Sequence, residues 1–97
     1  MSKSELLVSL VVHNDVSHLD ACLERLRQQT IPVRVKLLDN ASNDGTLERS
    51  RRHPVQVISS KRNLGYSAGH NENLRQESFD FALLMNADVY LEADFLE

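Results

Sequence analysis

Apolar residues come along this chain in short bursts separated by polar turns. The first burst, Leu6 to Val12, is nearly continuous and β-branched, the pattern of a strand covered on both faces. It ends at His13-Asn14-Asp15. Ser17 then has the chemistry of a helix N-cap, with Asp20 as its capping-box partner in the third helical position. Leu19, Cys22, Leu23 and Leu26 follow the i, i+3, i+4, i+7 spacing of one buried face. That helix is predicted to stop near Gln29, before Ile31-Pro32. A second strand is predicted over Val33 to Leu38, where Val33, Val35 and Leu37 alternate with Arg34 and Lys36. It runs into the polar turn Asp39 to Gly45. A short polar helix from Thr46 to about Arg52 ends at His53-Pro54, and strand three covers Val55 to Ser59.

The fourth unit is less regular. A turn centred on Gly65 leads into a helix predicted over Ser67 to Glu77, with Gly69, His70, Asn71 and Asn73 inside it. Gly alone costs about 1 kcal/mol relative to Ala in a helix. Such a segment is either not a helix or a helix lined with polar groups for a purpose. Strand four, Phe81 to Met85, runs into Asn86-Ala87-Asp88, and Val89 to Glu97 reads as an extended piece followed by the start of a helix.

Alternating strands and helices predict an α/β, Rossmann-like fold: a parallel sheet with helices on both faces. Strand order 3-2-1-4 is the most economical arrangement, as in half of a doubly wound fold. Residues 1–97 are read as a single domain.

Composition removes several classes. Net charge is −3 with acids and bases interspersed. The loose basic cluster Arg49, Arg51, Arg52, Lys61 and Arg62 lacks the interleaved aromatics of a single-strand nucleic-acid platform, so no nucleic-acid partner is expected. Cys22 is the only cysteine and falls on the apolar helix face, which makes it a buried structural thiol. No stretch approaches a membrane span and the first residues have no signal-peptide core, so a cytoplasmic location is expected.

The chemistry collects where strands end. His13-Asn14, Asp39-Asn40-Ala41-Ser42 and Asn86-Ala87-Asp88 follow strands, and Asn63-Leu64-Gly65-Tyr66 follows strand three. In a parallel sheet all four fall on one edge. Each cluster alone is ordinary turn composition, but four on one rim point to a polar-ligand site. Asp39 is expected at the cleft floor, accepting from a base N–H or a ribose hydroxyl. Asn86 and Asp88, two residues apart in extended chain, are expected to face one ligand or one hard cation. His13 and His70 are candidates for lining the cleft, and His18 and His53 are read as solvent-facing. There is no G-x-G-x-x-G after strand one and no P-loop, which argues against a dehydrogenase or P-loop NTPase. No zinc pair or Ser/His/Asp set is recognisable.

These segments resemble family 2 glycosyltransferases. Val8 to Asn14 is similar to the family's first strand, with His13 where a Tyr is common. Asp39-Asn40-Ala41-Ser42-Asn43-Asp44-Gly45-Thr46 looks like its D-N-x-S-x-D-G-T signature. Asn63 to Asn71 is similar to the N-x-G-[FY]-x-x-G-x-N run of the rhamnosyltransferase-like branch. Leu83 to Val89 resembles the L-L-x-N-x-D-V form of the metal-binding D-x-D motif. The resemblance implies a GT-A fold and a nucleoside-diphosphate sugar donor, UDP- or dTDP-linked. It also implies transfer to an acceptor hydroxyl, normally with inversion. By resemblance, Asp39 binds the pyrimidine and Asn14 sits beside the nucleotide. Asn63 and Gly65 border the donor, Gly69 allows close backbone approach, and Asp88 holds a divalent metal (Mg²⁺ or Mn²⁺), with Asn86 replacing the first carboxylate.

The general base lies further along in the family, so no catalytic residue is assigned here. The chain is expected to be the donor-binding part, with the acceptor-binding half absent, and to be inactive in transfer by itself. The acceptor saccharide would engage only the full protein, which is expected to be cytoplasmic and peripheral to the inner membrane. An uncovered sheet edge predicts self-association. Two alternatives remain open: a non-catalytic nucleotide-binding or interaction module, and, below it, a nucleotidyltransferase.

Overall fold

The computed structural model describes residues 5–96. Four parallel strands are ordered β3-β2-β1-β4: β1 is Leu6–Val12, β2 Arg34–Asn40, β3 Gln56–Ser60 and β4 Phe81–Asn86. Helices α1 (Val16–Arg27), α2 (Thr46–Ser50) and α3 (Tyr66–Leu74) connect them in the expected alternation. The register sets Leu10 between Leu37 and Met85. It sets Val12 opposite Asp39 and Val11 opposite Asn86. All strands therefore present their carboxyl ends on one edge.

The two faces of this sheet differ. On one, Val8, Leu10 and Val12 pack with Leu37 and Met85 against Leu19, Cys22, Leu23 and Leu26 of α1. The sequence periodicity of α1 is thus the buried seam of the main core. On the other face α3 covers β1 and β2, and the contact is largely polar. Asn73 Nδ2 donates to Ser9 Oγ (3.0 Å), Leu10 O (3.1 Å) and Lys36 O (3.1 Å). Lys36 Nζ reaches Glu77 at 2.8 Å, and Arg34 joins the same carboxylate. Gly69 lets this helix sit close. A Cβ there would lie 3.0 Å from both Val11 methyls.

Several boundaries differ from expectation for visible reasons. The α1 N-cap position is Asp15, not Ser17, and no side chain within the helix caps it. The cap comes from the β2–α2 loop instead: Thr46 Oγ1 accepts from Asp15 N (2.9 Å) and Asp44 Oδ2 from Val16 N (3.2 Å). Asp20 turns outward to His53 and Arg49. α1 ends two residues before Gln29. β2 continues through Asp39 and Asn40 because both pair with Ser59 and Ser60 of β3, so the polar turn starts at Ala41. α3 stops at Leu74, where Arg75 turns extended.

The expected final helix is not formed among the described residues. The tail instead folds back along α1. Leu91 is buried in the α1 core. Gln29 Nε2 donates to Glu92 O (2.8 Å), and Thr30 N donates to Ala93 O (2.8 Å). Backbone groups that a helix would have satisfied are thereby bound to the end of α1. Among the described residues no helix is long and apolar enough to cross a membrane.

Candidate functional site

At the carboxyl edge the loops after β1 and β2 are tied together. Asn14 N donates to Ser42 Oγ (2.8 Å) and Asn43 N donates to Asn14 Oδ1 (2.8 Å). Asn14 takes a left-handed φ of 52°, which asparagine tolerates well. Ala41 has a similar φ of 55°. That conformation is uncommon for a residue with a Cβ, and it turns the chain out of β2.

Asn40 joins a third loop to this pair. Its side chain donates to Gly65 O (3.0 Å) and accepts from Leu64 N (3.0 Å). Its backbone carbonyl accepts from His13 Nδ1. A carbonyl cannot donate, so the His13 proton sits on Nδ1. Nε2 is then an acceptor, and Asn14 Nδ2 lies 3.3 Å from it. Asn63 Oδ1 accepts from Gly65 N (2.8 Å), and Gly65 adopts φ 83°, a turn that favours glycine.

These loops and the end of β4 enclose a cleft of about 360 Å³ lined by Val11, Val12, His13, Asp15, Asn40, Asn63, Gly65, Tyr66, Asn86 and Asp88. The structure therefore brings together His13, Asn40, Asn63, Gly65, Asn86 and Asp88 from the sequence-derived candidates. Asn86 and Asp88 both face the cleft while Ala87 between them is buried in the core.

Other candidates are placed differently. Asn14 and Ser42 join neighbouring loops rather than lining the cleft. Gly69 packs on Val11, so the close approach it permits is helix to strand. Asp39 is not at the cleft floor. It is buried at the same edge, where Oδ2 accepts from Ser42 N (3.1 Å) and Oδ1 has no partner. Its bond to Ser42 N holds the carboxylate in the turn after β2 instead. His70 is buried beneath α3 and does not line the cleft. Of the two histidines read as solvent-facing, His18 is exposed beside Tyr90, whereas His53 is half-buried on Asp20.

Asp15 and Tyr66 also line the cleft. Tyr66 belonged to the cluster read after strand three without a role of its own, and Asp15 was read only as part of the turn that ends strand one. Tyr66 has its hydroxyl pKa raised by burial and by the Asp88 charge, so it stays an O–H donor. Cys22 lies behind this wall. Burial, with Asp15 and Asp88 nearby, pushes its thiol up to about 11, which makes it an inert core residue.

The electrostatics of the cleft are one-sided. Asp15 and Asp88 line it, and among the described residues no Lys or Arg does. The Asp88 carboxylate makes no hydrogen bond or ion pair among the described residues, while one Asp15 oxygen accepts from His13 N (2.9 Å). No group of three His, Cys, Asp or Glu residues clusters as a closed metal cage among the described residues. A hard cation sharing one exposed carboxylate with ligand phosphates needs no such cage, so the donor set fits that use.

A larger, mostly apolar cleft of about 570 Å³ lies at the opposite edge, between the end of α1 and the starts of β2 and β3. It contains none of the polar strand tips. The convergence of ionisable and small polar groups, not size, marks the carboxyl edge as the site.

A parallel 3-2-1-4 sheet with its polar tips on one rim is the architecture of the GT-A glycosyltransferases. S. aureus TarS (residues 1–349) in complex with UDP superposes with a TM-score of 0.85 at 23% identity, over 95% of this chain and 30% of that one. A mannosyltransferase, PcManGT from Pyrobaculum calidifontis, in complex with GDP-Man and Mn²⁺, gives 0.84 at 22% identity, over 93% of this chain and 29% of that one. The chain thus spans under a third of the length of these structures. No curated protein sequence matches it. The model of glycosyl transferase family 2 matches residues 8–97, and the chain belongs to that family.

Proposed function

We propose that this chain forms the donor-binding part of a glycosyltransferase, holding a nucleoside-diphosphate sugar whose sugar passes to an acceptor hydroxyl with inversion. The observation that carries this reading is the carboxyl-edge cleft itself. Polar tips from β1, β2, β4 and the β3–α3 loop converge on it, and its charged lining is acidic with Asp88 unengaged. A diphosphate entering such a cleft meets like charge unless a cation accompanies it. Asp88, with Asn86 as a weaker neutral oxygen donor, would hold Mg²⁺ or Mn²⁺. The cation when bound supplies charge neutralisation of the diphosphate leaving group. Solved relatives in fold carry UDP, UDP-GlcNAc, or GDP-Man with Mn²⁺, which supports a nucleotide sugar as the ligand class.

The chain's own residues then divide the work. Asn40 fixes the β2 end against Leu64 and Gly65, which shapes the nucleotide side of the cleft. His13 and Asn14 close the β1 side. The unpartnered Asp39 Oδ1 is the acceptor for the N–H of a uracil or thymine base, reached when the Ala41-Ser42 turn gives way. Leaving a buried carboxylate oxygen unsatisfied costs about 1–3 kcal/mol or more, which a ligand donor would relieve. No residue here is assigned as general base, so this chain alone is expected to bind donor without transferring sugar. The exposed side chains Phe81 and Leu84 on the β4 edge strand also favour self-association at high concentration.

Calorimetric titration of UDP and dTDP, with and without Mn²⁺, tests the reading. Binding should require the metal, and Asp88→Asn should weaken it by at least tenfold with an unchanged melting temperature. Metal-independent binding that ignores Asp88→Asn would contradict the assignment.

A further inference from the structure

The buried polar face beneath α3 contains an imidazole that the donor site does not use. His70 is 2% exposed, and its Nδ1 lies 2.6 Å from Ser9 Oγ. Ser9 Oγ also accepts from Asn73 Nδ2. If the Ser9 hydroxyl donates to Nδ1, one buried group is left without a partner: the Nε2–H. If Nδ1–H donates instead, both the Ser9 hydroxyl proton and the Nε2 lone pair are orphaned. Each orphan is costly in a buried site, so the first arrangement is favoured and the imidazole carries its proton on Nε2. Burial lowers the His70 pKa and keeps the ring neutral.

This imidazole has an aromatic neighbour one helical turn earlier in α3. The rings of His70 and Tyr66 form a T-shaped pair, with centroids 4.4 Å apart and planes at 82°. A polarised ring edge against an aromatic face is the favourable form of such a pair. Tyr66 begins α3 and lines the cleft, half-exposed, within the field of Asp88. The chain of contacts runs from the β1 core through Ser9 and His70 to an aromatic wall of the cleft.

We propose that His70 is a positioning residue: through its ring contact it fixes Tyr66 as a wall of the nucleotide cleft that Asp88 also lines. The functional consequence rests on the donor-binding reading. The ring-holding itself does not, and the two are separable by experiment.

In the ligand-free chain, ¹⁵N spectra of the imidazole should report the Nε2–H form, and the Tyr66 ring should give one well-ordered set of NMR signals. His70→Asn keeps a polar atom for Ser9 but removes the ring. It should move and broaden the Tyr66 ring signals. His70→Phe keeps a ring and loses the Ser9 bond, and it should restore them. In calorimetry with UDP and Mn²⁺, His70→Asn should weaken binding roughly fivefold, the scale of coupling between contacting residues. In a Tyr66→Ala background the same change should have no further effect.

Additive losses in that double-mutant cycle, or Tyr66 ring signals indifferent to His70→Asn, would overturn the proposal. Should His70→Asn not fold, His70→Leu replaces it, removing the aromatic ring while filling the buried space, with the same displacement of the Tyr66 signals expected and its absence counting against. If wild-type chain binds no nucleotide while Tyr66 still responds to His70, the donor reading fails and the positioning role stands.

Discussion

The two faces of the sheet solve the same packing problem with different chemistry. Beneath α1 the contact is apolar and continuous: Leu10, Leu37 and Met85 meet Leu19, Cys22, Leu23 and Leu26. Beneath α3 it is a network of Ser9, Lys36, His70 and Asn73, with a glycine where a larger residue would clash. The apolar face gains by removing area from water and tolerates some rearrangement. The polar face gains only if every donor meets its acceptor, because each lapse leaves a buried group unsatisfied. α3 is also the helix whose first turn lines the cleft. The geometry-dependent face therefore carries Tyr66, the aromatic wall of the cleft, on the helix it holds.

The largest expected effect separates stability from binding on the apolar side. Leu19→Ala, fully buried in wild type, should cost about 2–5 kcal/mol in urea unfolding. Any variant population that remains folded should bind nucleotide normally. A smaller loss on the polar side should carry a binding penalty with it. Gly69→Ala gains up to about 1 kcal/mol of helix propensity. It also drives a Cβ to 3.0 Å from both Val11 methyls, and overpacking of this kind costs about 1–3 kcal/mol. The steric term should win, giving net destabilisation and weaker UDP binding as α3 is displaced. A stabilised Gly69→Ala protein would show that α3 is free to lift, and the contrast between the faces would collapse.

Acid should distinguish the faces as well. The folded pKa of His70 is lowered by burial. Its contribution to stability is therefore fully present above the unfolded value of about 6.5, and is lost as pH falls toward the lowered folded value, because the unfolded chain takes up the proton first. The melting temperature should fall across that window, and His70→Phe should flatten the slope. Glu77 acts in the same direction at lower pH, since its pairing with Lys36 and then Arg34 depresses its pKa. The smallest effect belongs to Ala41. Glycine there relieves the left-handed φ of 55° but adds freedom to the unfolded chain. Strain of about 1–2 kcal/mol against an entropic cost of about 0.4–1 kcal/mol leaves a slight net stabilisation in the same urea assay.

The same contrast explains what the sequence revealed. The α1 face was legible because apolar residues repeat at helical spacing, and strand order followed from alternation and handedness. All four polar clusters were legible as clusters. What each member does was not, because that depends on the partner each finds. Asp39 and Asn40 are neighbours in sequence, yet one is held in the turn after β2 and the other lines the cleft. The cap of α1 was missed because it comes from Thr46 and Asp44, some thirty residues away. α3 carries no apolar stripe, so its length and the burial of His70 and Asn73 emerge only once Ser9 and Lys36 are in place beneath it.

The central claim is that the carboxyl-edge cleft receives a nucleoside diphosphate together with a divalent cation. Amide NMR shifts on adding UDP with Mg²⁺ to the wild-type chain test it most directly. The account predicts perturbations concentrated at Asp15, Asn40, Gly65, Tyr66 and Asp88, and their disappearance when Mg²⁺ is withheld. Perturbations confined to the apolar cleft around Leu26, Val33 and Val55, or none at saturating nucleotide, would contradict it.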